Sequence, residues 1–431
     1  MSLIRPTRWF LFVVILIVAR ASLVAQSNVI TIERADSLIG RQIDGEQAQE
    51  LVGNVALTQD RVHVACDHAI QFKSSGNVQL MGNVVIVEDS LTMRFPRGIY
   101  YRDERRAVAY DSVHLDDGRM VLTARFGEYL VNPKRAFFRT NVVARDAESR
   151  LTSDSLVYYR LEQRVVAFSN VEIKSFPDNL TIRGHHFESF RKQDYSRMTE
   201  SPVLVQIDTA ANEFRIDTLV VRSRVMEAYR GDSTRKLIAT DSVEIIRRDL
   251  ASTAGLAVFY TQQDSILLRK KPVVWYERTQ VSGDSIDVFL LKQKLDRVRV
   301  MGSAMAISQS DSLRKERFDQ ITGDELMMRF GESGLQRLDV VNQAISVYHL
   351  YEDSLANGLN KTSGDRITML WEEKKLSSIR VYGGIEGQYF PENLVQGKET
   401  DFALAGFVWR ESKPVLKDSD FTFPRKRTNK K

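Results

Sequence analysis

The sequence repeats itself every 29 residues, and this interval constrains the fold more than any other feature. Five valines that end similar short segments keep the interval four times in succession: Val55, Val84, Val113, Val142 and Val171. Three tyrosines and three arginines keep it as well, namely Tyr100, Tyr129 and Tyr158, and Arg106, Arg135 and Arg164. A fixed internal period indicates stacked structural units, each of which buries its apolar face against its neighbours.

Each unit contains two strand-like segments. One carries an anchor in which a pair such as Gly53-Asn54 or Gly82-Asn83 precedes the valine, and these residues suit a bend or bulge in a strand. The other segment begins with Leu-Thr and alternates apolar and polar residues, as it does from Leu91, Leu122, Leu151 and Leu180. A period of two is that of a half-buried strand, so the sequence predicts an all-β fold.

The repeat continues with looser spacing beyond residue 200. Anchors recur at Val203, Val243, Val273, Ala304, Ala344 and Ile385, at intervals of 30 to 41 residues. The extra residues fall in polar insertions such as 309–320 and 352–363, which cost little where each unit contacts mainly its neighbours. We count about eleven two-stranded units between residues 51 and 390, preceded by a partial unit at 28–50. Aspartates recur in separate units at 154, 284, 324 and 365, and we expect them to cap turns.

Stacking of these units predicts an elongated, trough-like sheet with a continuous apolar interior. A two-stranded unit cannot shield its apolar face alone, and strands spaced about 4.8 Å apart give a stack on the order of 100 Å long. The predicted organisation is a signal segment at 1–25, regular repeats at 26–200, irregular repeats at 201–390 and a non-repeating basic tail at 391–431.

The first 25 residues have the layout of a secretory signal peptide. Arg5 and Arg8 precede an apolar run from Trp9 to Ala19, and small residues suited to cleavage follow at 19–21 and 23–25. The run is too short to span a bilayer comfortably, so we expect cleavage and export. An uncleaved anchor in the inner membrane is the alternative, since Arg20 lies next to the cleavage positions.

The repeated motifs resemble the organic-solvent-tolerance (OstA-like) family. The resemblance rests on Ala35-Asp36, Gly53-Asn54-Val55, Cys66-Asp67, Gly82-Asn83-Val84, Leu151-Thr152-Ser153-Asp154 and Asn170-Val171. It covers residues 28 to about 200 well and 200–390 more weakly. It implies a β-jellyroll, or β-taco, whose apolar groove holds the acyl chains of lipid A in lipopolysaccharide. It also implies a periplasmic location and stacking through edge strands with other jellyroll proteins of a transport bridge to the outer membrane. The chain departs from the compact members of the family by being much longer.

Nine apolar residues are the expected lining of the interior: Val55, Val84, Leu91, Met93, Leu122, Val142, Leu151, Val171 and Leu180. Sequence does not separate a groove that holds an alkyl chain from a closed core in which these side chains pack against one another. Arg106, Arg135 and Arg164 are candidates for a basic rim that contacts lipid phosphates. Solvated turns that discourage edge aggregation explain the same arginines.

The sequence lacks the motifs of an enzyme. No nucleophile elbow, phosphate-binding loop or dinucleotide fingerprint occurs, and we expect neither a catalytic site nor a cofactor. His185 and His186 are adjacent, so in a strand they point to opposite faces and do not share a metal easily. Cys66 is the sole cysteine, which excludes an intrachain disulfide and suggests a small buried hydrophobe. The remaining alternatives are a structural or adhesive repeat protein with a filled core, and a β-helix polysaccharide enzyme.

The charge of the chain is modest and spread along the sequence. The formal net charge is +5, which does not indicate a nucleic-acid partner. A basic cluster occurs at the C-terminus, formed by Arg425, Lys426, Arg427, Lys430 and Lys431. We interpret it as a solvated terminus, and contact with an anionic membrane surface is the more specific alternative.

Overall fold

The computed structural model describes residues 29–423 apart from 178, 209–216, 232–234, 249, 261, 292–293, 311–313, 353–354 and 374. The predicted signal segment and the basic cluster at 425–431 lie outside these residues. Within them, 28 strands form one antiparallel sheet. The first fourteen are β1 (Thr31–Arg34), β2 (Ser37–Ile43), β3 (Glu46–Gln59), β4 (Val62–Phe72), β5 (Val78–Glu88), β6 (Leu91–Tyr101), β7 (Arg106–Asp116), β8 (Val121–Leu130), β9 (Arg135–Arg145), β10 (Ser149–Tyr159), β11 (Arg164–Ser175), β12 (Leu180–Phe190), β13 (Tyr195–Thr199) and β14 (Val203–Asp208). The others are β15 (Asp217–Arg222), β16 (Val225–Tyr229), β17 (Lys236–Arg247), β18 (Leu250–Tyr260), β19 (Ser265–Arg269), β20 (Val273–Tyr276), β21 (Thr279–Ser282), β22 (Ser285–Leu291), β23 (Lys294–Gln309), β24 (Phe318–Gly331), β25 (Gly334–Glu352), β26 (Leu355–Glu372), β27 (Lys375–Tyr382) and β28 (Glu386–Phe390). One α-helix, α1 (Glu392–Val395), and 3₁₀ turns at Arg191–Gln193, Glu399–Phe402 and Asp418–Asp420 complete the described elements.

Each long strand is bent at its middle, so that it contributes to two walls. Strand β5 shows the pattern: residues 78–81 pair with 97–100 of β6, residues 84–88 pair with 91–95, and the register shifts between them. The half-strands that precede the anchors, with their partners, form the front wall. The half-strands that follow the anchors, with theirs, form the back wall. The two walls meet along a corner at the anchors and face each other across an apolar interior, whose open side we term the mouth.

The corner is formed by backbone in the left-handed region. In the described residues, ten of the eleven anchors place two consecutive residues at positive φ, from Gly53 and Asn54 through Lys270 and Lys271 to Gly383 and Gly384, while the third anchor places Asp111 alone. The predicted bend at the anchors is therefore confirmed. At eight anchors it lies inside a continuous strand, and at 200–201, 270–271 and 383–384 it separates two half-strands. Gly and Asn recur there because they adopt positive φ at little cost.

The recurring aspartates lie at this corner and not in turns, contrary to the prediction. The amide Nδ2 of Asn170 donates to Asp154 Oδ2 over 2.8 Å, and Asn83 Nδ2 donates to Asp67 Oδ2 over the same distance. Gly302 has no side chain and therefore leaves room for the Asp284 carboxylate. A Cβ atom at position 302 would lie only 2.3 Å from that carboxylate. The Asp-Asn pair thus fixes the bend from the neighbouring strand.

The fold class is confirmed as an elongated β-jellyroll stack. When half-strands that continue one another across a corner are joined, the described residues give 22 bent strands, or eleven two-stranded units. The insertion expected at 352–363 is not a loop, since it lengthens the paired strands β25 and β26. The interior contains two clusters of buried apolar residues, which share the partly buried Ile182.

Residues 391–423, which we term the strap, run back along the outside of the back wall. Met305 and Ile307 alternate with the inward Ala304 and Ala306 and pack outward with strap residues such as Leu404. Further along, Gln280 Nε2 donates to the carbonyl of Val408 over 2.6 Å, and Gln280 Oε1 accepts from the backbone N–H of Arg410. The strap ends beside β12 and β15, where Arg183 and Arg222 both donate to Asp420. It therefore crosses the back wall from β26 to β12.

Ion pairs fasten the strap at both ends. Arg317, which is fully buried, donates to Glu392 over 2.5 Å and to Glu399 over 3.3 Å. Hydrogen bonds from Arg317 lower the pKa of Glu392 below its usual range. At the other end, Arg222 holds both carboxylate oxygens of Asp420 at 2.7 Å. Bidentate, charge-assisted contacts of this kind are strong and geometrically specific.

Candidate functional site

The mouth of the first units is closed by tyrosines of the front wall that bond to the back wall. The hydroxyl of Tyr100 donates to Gln59 Oε1 over 2.7 Å, and Tyr158 donates to Asp117 Oδ2 over 2.6 Å. Tyr129 makes the corresponding bond to Glu88. Burial raises the pKa of Tyr100 to about 12 and raises those of Tyr129 and Tyr158 as well, so all three are neutral donors. We call these three contacts the clasps.

Ion pairs form a second row across the same mouth, outside the clasps. Arg105 pairs with Asp60, and Lys134 Nζ lies 2.9 Å from Asp89 Oδ2. Glu88 is almost fully buried. Besides its clasp with Tyr129, its carboxylate lies 3.3 Å from Lys134 Nζ and 3.3 Å from Arg160 Nη1. A buried carboxylate is tolerated where hydrogen-bonded and charged partners offset the cost of its desolvation.

Beyond the third clasp the mouth opens into a cleft of about 760 Å³ between the two walls. Its floor is apolar and includes Leu151, Val165, Ile173 and Phe187. Its rim carries eight basic and four acidic side chains: Arg119, Lys134, Arg145, Arg160, Arg191, Lys192, Arg230 and Arg235, against Asp117, Asp146, Glu148 and Asp194. An apolar floor below a mainly cationic rim fits an amphiphile with an anionic head better than it fits a wholly polar or wholly apolar ligand.

Most of the expected lining residues are buried in the closed interior of the stack. Eight of the nine belong to the N-terminal apolar cluster: Val55, Val84, Leu91, Met93, Leu122, Val142, Leu151 and Val171. Leu180 is only half-buried and lies at the start of β12. Leu151 alone among the nine lines the cleft. The structure thus separates one residue that borders open space from seven that pack against their neighbours; contact of any of them with lipid stays a prediction.

The three candidate rim arginines lie away from the cleft, on the outer face of the front wall. Arg106 pairs with Glu104 over 2.6 Å and stacks on the ring of Tyr101, and Arg164 pairs with Glu188 over 3.1 Å. Arg135 begins β9 next to the inward Ala136 and is exposed. Their alternation with inward residues explains the placement. Most of the cations at the cleft instead belong to the turns beside it, as Arg119, Arg160 and Arg191 do.

The described residues show little sign of metal or thiol chemistry. Among them, no group of three or more His, Cys, Asp or Glu side chains is placed to hold a metal ion. Burial raises the pKa of the Cys66 thiol to about 11, so the thiolate nucleophile is scarce at neutral pH. No helix in the described part of the chain is long and apolar enough to cross a membrane.

Comparison with known proteins identifies the family of the first units. Residues 27–140 match the model of the OstA-like protein family. This N-terminal quarter is OstA-like. The OstA-like stretch contains the first two clasps and five of the residues that line the cleft, from Ser90 to Lys134.

A solved structure and the curated sequences complete the comparison. The crystal structure of LptH, the LptA-homologous periplasmic component of the lipopolysaccharide transport device from Pseudomonas aeruginosa, aligns with 33% of this chain and 96% of its own. Its sequence identity is 15% and its TM-score is 0.26. No curated protein sequence matches the chain.

Proposed function

We propose that the protein is a non-enzymatic, periplasmic carrier or bridge that moves lipopolysaccharide towards the outer membrane. The observation that carries the proposal is the cleft, where an apolar floor continuous with the interior of the stack lies below a cationic rim. Lipid A combines alkyl chains with phosphates, so it matches both parts. Burying an alkyl chain contributes about 0.8 kcal/mol per methylene. The OstA-like character of residues 27–140 supports the same class of cargo.

The ends of the stack support a bridge rather than an isolated carrier. At one end β2 is mostly exposed and includes the exposed Leu38 and Ile39, and at the other end β27 is mostly exposed and includes Ile379. An edge strand with free backbone groups pairs readily with a strand of another molecule. Stacking with other jellyroll proteins of the transport system would extend the interior beyond one chain.

A structural role with a filled core is the second candidate, and one observation favours it. In the first four units the interior residues are almost completely buried, as Leu80, Leu115 and Leu122 show, and the clasps close the mouth. A ligand enters there only if the walls separate. The two functions differ in whether lipid reaches the interior.

Photo-crosslinking in living cells separates the two candidates. A benzophenone amino acid at Leu151, on the floor of the cleft, is expected to form adducts with lipopolysaccharide. The matched control is the same probe at Thr152, the next residue of β10, whose side chain points to the opposite face of the sheet. Absence of adducts at Leu151, or equal adducts at both positions, would reject the carrier in favour of the filled core.

A further inference from the structure

The clasps follow the 29-residue period on both walls, so the sequence shows where the series of clasps stops. The donors Tyr100, Tyr129 and Tyr158 are each 41 residues beyond their acceptors, Gln59, Glu88 and Asp117. The same register places the next donor at residue 187 and the next acceptor at residue 146. The acceptor is present as Asp146, but the donor position holds Phe187, which has no hydroxyl. The fourth clasp therefore cannot form.

The outer row of ion pairs ends one unit earlier. Arg105–Asp60 and Lys134–Asp89 are both separated by 45 residues, and the next positions in that register hold Gln163 and Gly118, which cannot form an ion pair. Asp146 instead accepts hydrogen bonds within its own loop, from the backbone N–H groups of Glu148 and Ser149. An exposed contact of 3.5 Å joins Arg191 to Asp146 across the mouth at this point, and at that length it is a weak hydrogen bond.

The cleft lies where both rows end. Asp146, Gln163 and Phe187 all line it. Phe187 is buried in the interior cluster, so its ring is part of the floor from which the open space extends outward to solvent. The opening follows from three residue changes within the repeat, at Gly118, Gln163 and Phe187, rather than from a change of fold.

We propose that this gap is a lateral port through which the alkyl chains of a phosphorylated amphiphile pass between the walls. The proposal rests on the carrier function and names where its cargo crosses the side of the stack. Clasps shut the mouth on the N-terminal side of the port, so an alkyl chain that has entered is directed towards the second apolar cluster, reached through Ile182. The phosphate stays at the rim, where basic side chains outnumber acidic ones by eight to four.

The test restores the missing clasp. The purified mature chain, carrying benzophenone at Leu151, is irradiated with palmitoyl lysophosphatidic acid, and adduct yield is measured by mass spectrometry. Phe187→Tyr places a hydroxyl opposite Asp146 and is expected to reduce the yield about tenfold, since a hydrogen bond to a charged group is worth roughly that factor. The conservative control Phe187→Leu keeps the port open and is expected to match the parent chain. Combining Phe187→Tyr with Asp146→Ala removes the new acceptor and is expected to restore the yield.

The converse variant keeps the test decisive if Phe187→Tyr folds poorly. Tyr158→Phe removes the clasp next to the port and is expected to raise the yield. An unchanged far-ultraviolet circular dichroism spectrum and a cooperative unfolding transition check that this variant is folded. Equal yields in the parent chain, Phe187→Tyr and Tyr158→Phe would overturn the port while leaving the carrier intact. Equal yields from palmitoyl lysophosphatidic acid and uncharged monopalmitoyl glycerol would overturn the role of the rim. No adduct with either lipid in the parent chain would reject the carrier function itself, and the port with it.

Discussion

The two halves of the stack share one corner geometry but stabilise their walls differently. In the first half, up to about residue 200, the turns keep a strict period and side chains of the two walls bond across the mouth. The outer face of the back wall there is polar or half-exposed, as at Arg94 and Lys174. In the second half the turns vary in length, and the outer face of the back wall is mainly apolar and is contacted by the strap.

This difference shows which part of the unit specifies the fold. The positive-φ pair recurs at anchors in both halves, even where it falls on residues as unlike as Gly82 and Lys270. The turns, the mouth contacts and the outer face all change without loss of the bend. The corner therefore defines the architecture. The clasps that close the mouth and the strap that packs on the back wall are separate features, each present in one half.

Removing the strap is the largest change that would test this division. Truncation after residue 390 uncovers outward apolar side chains such as Met305, Ile307, Val347 and Leu359. At about 1.5–3 kcal/mol for each large side chain, the loss is on the order of 10 kcal/mol. We expect limited proteolysis to digest the second half while the first half resists. Truncation after residue 423 keeps the whole strap and serves as the control; equal resistance of both truncated chains would contradict a stabilising strap.

Loss of the buried arginine of the strap is the intermediate case. Arg317→Met leaves the carboxylates of Glu392 and Glu399 without their shared partner. Breaking a buried ion pair from one side costs about 3–5 kcal/mol, so urea unfolding of the second half is expected at clearly lower concentration. Arg337→Met is the matched control, because its pair with Asp339 is half-exposed and worth about 1 kcal/mol or less. An equal effect of both substitutions would contradict the distinct role of Arg317.

Loss of one clasp is the smallest change. Tyr129→Phe removes one hydrogen bond to Glu88, which keeps Lys134 and Arg160 as partners. We expect a cost of about 1 kcal/mol, confined to the first half and measured by hydrogen exchange of β6 and β8. Tyr101→Phe changes an outward-facing ring at the end of β6 and is expected to have no effect on exchange. A loss of several kcal/mol would show that the clasps, rather than the corner, hold the first half together.

Much of the architecture could be predicted from the sequence because it depends on local backbone rules. The anchors, the period of two and the count of eleven units all follow from residue types that favour a bend or alternate in burial. The burial of Val55, Val84 and Leu122 follows from the same alternation. The same alternation explains why Arg106 and Arg164 face outward. Each lies next to a residue whose side chain points into the interior, Ala107 and Val165.

The strap and the cleft were missed because they depend on contacts between distant segments. A signal for the strap was present: segments such as Val273–Tyr276 and Ala304–Ile307 are apolar at successive positions, which is typical of strands buried on both faces. A signal for the cleft was present as well, in the replacement of tyrosine by Phe187 within an otherwise regular series. Neither could be interpreted without knowing which positions face each other across the mouth.

The strap has a further consequence for how the molecule would respond to tension along the axis of the stack. In a stack of antiparallel strands pulled along its axis, neighbouring strands separate one pair at a time, and each step breaks a single ladder of hydrogen bonds. The strap runs across the strands from β26 to β12 and is fastened at both ends by Arg317 and Arg222. Stretching the second half therefore loads a covalent chain in parallel with the sheet, so the first half is the part that would extend first and act as the compliant segment of the molecule.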